Sequence, residues 1–214
     1  MKIISDFKTI RRKDPAIKSG IEVLLYSSFW ALLFYRPAHV LYKWKLFFIA
    51  RLISQIARLL TGIEIHPGAT IGEGLFIDHG MGVVIGETCE IGNNVTIYQG
   101  VTLGGTGKDV GKRHPTIGDN VMVGSGAKVL GPIKIGANSK IGAGSVVLKD
   151  VPEDSTVVGI PGRAVKRSTL YDSPSENLDQ LRLPDPVEME ICKLRVKISQ
   201  LEAELNKLNE EKKE

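Results

Sequence analysis

Two of the four histidines stand where an otherwise regular pattern breaks. His79 lies in the run Asp78-His79-Gly80-Met81-Gly82, and His114 follows Arg113 near the end of a longer run, Gly104 to Pro115. A neutral imidazole can take a proton near neutral pH once a carboxylate or carbonyl fixes its tautomer. Asp78 is adjacent to His79, but neighbours on a strand point to opposite faces. Glu64, 15 residues earlier, falls on the preceding coil of the pattern described below and is the better orienter. A base with its orienter is half of a triad in which a substrate hydroxyl replaces the protein nucleophile. The competing reading of such a pair is a surface hydrogen bond. Arg113 has the planar fork suited to a carboxylate, so Arg113 and His114 together fit the acid group of a small substrate.

Gly104-Gly105-Thr106-Gly107-Lys108 resembles a phosphate cradle but lacks the spacing of a P-loop or dinucleotide fingerprint. Its glycines would equally let an extended ligand lie against the backbone. A catalytic zinc would require three protein ligands, for which His66, His79 and His114 are the candidates. His66 precedes Pro67 in a turn-like run, and no further histidine follows His114. No metal is expected.

The elements that must hold these residues are set by a six-residue repeat. Aliphatic residues recur at 65, 71 and 77, then at 85, 91, 97 and 103, then every sixth residue from 117 to 147. Glycine follows many of them directly, as at Gly72, Gly92, Gly118 and Gly136. Six is a multiple of the strand period, so each repeat aims the same residue inward. Hexapeptide repeats are the signature of a parallel β-helix. The aliphatic residue stacks inside, and the small residue beside it lets the chain turn the corner. The two interruptions hold His79 and His114, and a solenoid accepts insertions only as loops thrown outward. Their polarity and position predict one shared site.

Residues 1–62 form an N-terminal helical domain, with helices over 15–35 and 37–61. Asp14-Pro15 and Pro37 are read as starts, and Thr61-Gly62 as a stop. The β-helix spans 63–167. Residues 168–186 are a linker containing Ser173-Pro174-Ser175 and Pro184-Asp185-Pro186. From 187 to 214 a helix carries Val187, Ile191, Leu194, Ile198, Leu201, Leu205 and Leu208 at alternating spacings of four and three, a heptad seam. The fold class is α+β.

Composition narrows the function. Of 23 glycines, 22 lie between Gly62 and Gly162, so the regions are built on different rules, and collagen is excluded because glycine is not at every third position. Residues 1–61 hold eleven Lys and Arg against three Asp and Glu. That excess is read as a solvated surface, and no aromatic readout pattern supports nucleic-acid binding. Cys89 and Cys192 are far apart and form no disulfide framework. The longest uncharged N-terminal stretch, 23–35, is too short to span a bilayer. A cytoplasmic enzyme without membrane contact is expected.

The runs "IHPGATIGEGLFIDHGMGVVIGE", "VTLGGTGKDVGKRHPTIGDNV" and "IGAGSVVLKDVPEDSTVVGIPGRAVKR" resemble the serine O-acetyltransferases of cysteine biosynthesis over about residues 12–167, beginning at "KDPA". The resemblance implies a left-handed parallel β-helix, a trimer with sites between neighbouring subunits, and acetyl transfer from acetyl-CoA to L-serine. It implies feedback inhibition by L-cysteine at the serine site. It makes His79 the general base and Glu64 its orienter, where many relatives carry Asp. Asp14, Asp78, Arg113 and His114 match serine- and cysteine-binding positions. Gly105, Thr106, Ser125, Lys140 and Ala143 match the acetyl-CoA groove, and Arg163 is a further candidate for the CoA phosphates. Longer relatives have a larger helical domain that joins two trimers, so a homotrimer is expected, with a hexamer the alternative. Longer relatives also end in a tail whose terminal isoleucine enters cysteine synthase. This chain ends Glu211-Lys212-Lys213-Glu214, so that complex is not expected, and the heptad helix is expected to tie the trimer together. Another hexapeptide acetyltransferase, acting on a sugar hydroxyl, is the nearest alternative.

Overall fold

The structure, a computed structural model, describes residues 2–107, 110–166 and 186–211; side chains are described for residues 3–107, 110–165 and 190–205. The chain divides into two units, Met1–Leu183 and Pro184–Glu214.

In the first unit the hexads wind as a parallel β-helix with three faces. Face one carries β1 (Glu64–Ile65), β4 (Val84–Ile85), β7 (Thr102–Gly104), β10 (Lys128–Leu130) and β13 (Val146–Val147). Face two carries β2 (Thr70–Ile71), β5 (Glu90–Ile91), β8 (Thr116–Ile117) and β11 (Lys134–Ile135). Face three carries β3 (Phe76–Asp78), β6 (Thr96–Tyr98), β9 (Met122–Val123), β12 (Lys140–Ile141), β14 (Ser155–Val158) and β15 (Arg163–Lys166). All pairings between coils are parallel, and β14 and β15 close the stack as an antiparallel hairpin. Register keeps like over like: Ile85 pairs with Leu103, which pairs with Val129, which pairs with Val147. These side chains lie in the single core that fills the solenoid.

The corner glycines work differently from the sequence expectation. Gly72, Gly92, Gly118 and Gly136 have no left-handed backbone. They are small because the next coil lies against them: a Cβ on Gly118 would sit 2.7 Å from the Ala137 amide nitrogen. The left-handed turn falls two residues later, at Gly74, Asn94, Asn120, Asn138 and Asp154. Asn and Asp tolerate this conformation best among residues with a side chain. Asn120 also donates to Asn138 Oδ1 at 3.1 Å, linking two corners.

The helical region departs from the expected boundaries. Helix α1 spans Lys2–Lys13, a 3-10 helix spans Gly20–Leu25, α2 spans Ser27–Lys43 and α3 spans Phe47–Thr61. Asp14 follows α1 instead of capping a helix at 15. Its amide donates to the Ile10 carbonyl, and its own Oδ1 accepts from the Ala16 amide at 2.7 Å. Pro37 lies inside α2 and not at a restart. The break comes at Trp44 to Leu46, where Lys45 is left-handed. Gly62 does stop α3, in the left-handed conformation, donating to the Arg58 carbonyl.

Helix α1 is held by buried polar contacts. Asp6 is 1% exposed and receives two hydrogen bonds from the Arg36 guanidinium, while Lys13 reaches Thr96 Oγ1 at 2.9 Å. Helix α3 turns Ala50, Ser54, Ala57 and Thr61 inward, and Ser54 donates to the Ile65 carbonyl. Phe48, Leu52 and Leu59 remain exposed. Among the described residues no helix is long and apolar enough to cross a membrane.

The second unit is one helix, α4 (Pro186–Glu211). The linker expected over 168–186 lies outside the described residues except for Pro186.

Leu103, fully buried between Ile85 and Val129, tests the stacked core. Leu103→Ala should lower unfolding stability by about 2–5 kcal/mol. Urea denaturation measures this, and a loss below about 1 kcal/mol would show that the coils collapse around the gap.

Candidate active site

The two insertions create polar clusters on two different edges of the solenoid. The first lies where face three turns into face one. β3 ends at Asp78, and His79 has φ 58°. A left-handed non-glycine residue is uncommon and marks a constrained position. The alternation rule for Asp78 and His79 therefore fails, because His79 has left the strand. Its ring swings back, with Nε2 4.0 Å from Asp78 Oδ1, and remains 77% exposed. Gly80 and Gly82 are left-handed too, and Gly82 donates to the Gly62 carbonyl at 2.9 Å.

Asp14 comes to the same edge from the end of α1. Its carboxylate accepts a short hydrogen bond from the Tyr26 hydroxyl. Burial, and then Asp14, push the Tyr26 phenol up to about 12, so it stays a donor. Burial also raises the Asp78 carboxyl, against the pull of His79 and with the repulsion of Asp14. Asp14, Tyr26, Ser27, Asp78 and His79 line a cavity of about 330 Å³. Two carboxylates beside an exposed imidazole can hold a cation and leave a base free.

The second cluster lies where face one turns into face two. Thr88 gathers the end of the long loop. Its Oγ1 accepts from the Arg113 and His114 amides at 3.0 and 3.1 Å. Its own amide donates to His114 Nδ1 at 3.2 Å. With Nδ1 accepting, a neutral His114 carries its proton on Nε2. Burial and the adjacent Arg113 lower the His114 pKa, which keeps it neutral. The ring packs against Gly86 and Gly105, where a Cβ on Gly86 would collide with it.

Arg113 is clamped by Glu87 Oε2, and the Tyr42 hydroxyl donates to Glu87 Oε1 at 2.7 Å. Tyr42, aided by His66 and Arg113, holds the Glu87 carboxyl below its ordinary value despite its partial burial. His66 packs edge-on against Tyr42 and accepts from the Gly68 amide at 3.0 Å. Burial lowers its pKa to about 4, with Arg51 adding to the shift.

The remaining candidates divide between these edges. Glu64 stands on face one in register with Val84, and its carboxylate meets Arg58 at 3.1 Å and Arg51 at 3.9 Å. Among the described residues the carboxylate found within 4.0 Å of His79 is that of Asp78. Ser125 and Ala143 occupy the His79 edge on later coils, where the Gly144 amide donates to the Ser125 carbonyl at 2.8 Å. Lys140 is in β12 and Arg163 in β15, both on face three. Gly105 and Thr106 sit on the His114 edge, where the Thr106 amide donates to the Arg113 carbonyl. Lys108 of that loop lies outside the described residues. His66 and His114 share an edge that His79 does not. Among the described residues no group of three or more His, Cys, Asp or Glu is placed to hold a metal ion.

Tyr26, Tyr42, Glu87 and Thr88 were not singled out by sequence. Glu87 and Thr88 had a usable signal, since they sit one coil before Arg113 and His114 at the equivalent corner. Tyr42 had none, because it reaches the site from α2.

Comparison with known proteins places these features in context. The bacterial transferase hexapeptide (six repeats) family matches residues 114–149, and the hexapeptide repeat of succinyl-transferase matches residues 80–104. The serine acetyltransferase of Bacillus subtilis (strain 168) is 60% identical over 201 residues, covering 94% of this chain and 92% of that protein. A solved serine acetyltransferase in complex with cysteine is 41% identical at a TM-score of 0.81, covering 85% of this chain and 71% of that one. Another, in complex with CoA, is 41% identical at a TM-score of 0.72, covering 77% of this chain and 68% of that one.

His66 gives the site a pH signature. Its folded pKa of about 4 lies below the ordinary value of 6.5, so on acidification the unfolded chain binds a proton that the folded chain refuses. Stability should therefore fall as pH drops from about 6.5 to about 4, and this contribution should level off below that. Urea midpoints at pH 7 and pH 4.5 measure the drop. His66→Asn, which keeps an acceptor for Gly68, should shrink it, and an undiminished drop would assign the effect to other groups.

Proposed function

This chain belongs to the serine acetyltransferase family, and from that premise we propose that it transfers the acetyl group of acetyl-CoA to L-serine, giving O-acetyl-L-serine and CoA. The observation that carries this reading is the exposed His79 imidazole held beside Asp78 and Asp14 at one edge. The two carboxylates suit the serine ammonium. Arg113 and the Nε2–H of His114 suit its carboxylate.

In the proposed reaction His79 accepts the proton of the serine hydroxyl as that oxygen attacks the thioester carbonyl. The new C–O bond forms, the C–S bond breaks, and the departing CoA thiolate recovers the proton from the imidazolium. Glu64, on the coil beside the His79 loop, is the proposed orienter of that imidazolium, a role that requires its carboxylate to turn from Arg58 and Arg51 toward the ring. Attack is direct, so kinetics are sequential. Gly105 and Thr106 at one edge, and Ser125, Ala143, Lys140 and Arg163 near the other, line the acetyl-CoA groove.

A complete site needs both edges, and one chain presents them apart. We therefore read the enzyme as a homotrimer in which the His79 edge of one subunit faces the Arg113 edge of the next. The exposed apolar side of α3 supports an assembled state, since such a face calls for a partner. L-cysteine carries the same ammonium and carboxylate as serine and competes at this site, a reading supported by the relative solved with cysteine. The enzyme is proposed to work in the cytoplasm.

Serine-dependent release of CoA thiol from acetyl-CoA tests the proposal. Wild-type protein should show it, and L-cysteine should raise the apparent KM for serine. His79→Ala should lower kcat by about 100-fold or more. Arg113→Lys should act mainly on the serine KM, because a single ammonium cannot replace the planar fork. Folded wild-type protein with no serine-dependent release would overturn the reading.

A further inference from the structure

Helix α4 carries a continuous apolar stripe. Ile191, Leu194, Ile198, Leu201 and Leu205 follow one another at spacings of three and four, and each is 44–60% exposed. A helix with such a stripe draws most of its stability in water from packing that face. Exposed on this scale, the stripe is an unfilled interface.

We propose that its partner is the same helix in neighbouring copies of this chain, wound in parallel and in register as a coiled coil. The seam places Ile191, Ile198 and Leu205 at a, with Leu194 and Leu201 at d. The flanks favour this register. In a parallel pair the g residue of one helix faces the e residue five positions later on the other. That sets Lys197 opposite Glu202, and Glu190 opposite Arg195. Cys192 falls at b, away from the seam, so no disulfide takes part. A three-fold axis brings equivalent segments to one end, so helices related by it pack in parallel. The strand number rests on the trimer proposed above. Ile at a with Leu at d alone favours two strands, so the subunit body sets the number at three.

The test uses the full-length enzyme with Cys192→Ser as background. Leu201→Cys puts a thiol on the seam, and Ala203→Cys puts one at f on the outer side. Oxidised glutathione accepts the electrons as two thiols join. Leu201→Cys should yield at least ~10-fold more disulfide-linked dimer on a non-reducing gel than Ala203→Cys, as seam geometry requires. Leu194→Cys, also at d, should behave like Leu201→Cys and serves if the first variant folds poorly. Native mass and serine-dependent CoA release are measured on the same samples. A trimeric, active enzyme whose seam thiols stay unlinked would overturn the coiled coil and leave the proposed function standing. Linkage of Ile198→Cys chains to Leu201→Cys chains, with neither linked to itself, would show antiparallel packing and overturn it as well. Seam linkage in a protein that is dimeric or inactive would support the coiled coil and count against the trimer or the acetyltransferase reading.

Discussion

Backbone stacking from coil to coil constrains everything else in the first unit. Each strand hydrogen-bonds to the equivalent strand of the next coil, so every coil must repeat the path of the one before. Where a face-two strand ends, the next coil approaches too closely for a Cβ, and Gly92, Gly118 and Gly136 meet that limit. The interior allows as little freedom. Ile85, Leu103 and Val129 stack by register, so a polar residue at any of them would have no partner inside the stack. Extra residues can enter only at an edge, and there the chain carries its unusual chemistry.

The two edges are tuned in different ways. At the His79 edge the imidazole is solvent-facing, and the burial cost falls on its neighbours, raising Asp78 and Tyr26. At the other edge His66 and His114 are pressed toward neutrality, while Glu87 is held ionised by Tyr42, His66 and Arg113. A neutral histidine with its proton on Nε2 and a fixed guanidinium make a donor surface. A carboxylate pair with an exposed imidazole makes an acceptor surface. A zwitterion with a hydroxyl needs both.

Much of this was legible in the residues, with identifiable exceptions. The hexad repeat determined the three faces, and the insertions marked the edges, because a solenoid leaves extra chain nowhere else to go. Helix α1 has a readable apolar spacing at Ile3, Phe7 and Ile10, and Ile10 is fully buried, but the polar contacts that also anchor it, Asp6 with Arg36 and Lys13 with Thr96, leave no trace in the pattern. Pro37 marks no boundary, since α2 carries it inside and ends at Lys43, just before the left-handed Lys45. Asp78 and His79 were placed on opposite faces by strand alternation, which holds only while the backbone stays extended. The Tyr42–Glu87–Arg113 chain joins α2 to two coils, and sequence distance gives no hint of it.

The surroundings of His79 also bear on whether the acetyl group would pass through the protein. An acyl-enzyme route needs a side-chain nucleophile in contact with the base. Ser27 lines the same cavity, but its hydroxyl donates to the His79 backbone carbonyl at 3.2 Å and not to the ring. Rerouting Ser27 to the ring would break that bond, which helps tie α2 to the His79 turn. Ser27 is thereby engaged with the backbone and not with the base. The His79 side chain is largely exposed and lines the cavity, so an incoming hydroxyl can reach it. These contacts also give the left-handed backbone at His79 a purpose, because an extended residue there would point its ring away from Asp78 and from the cavity.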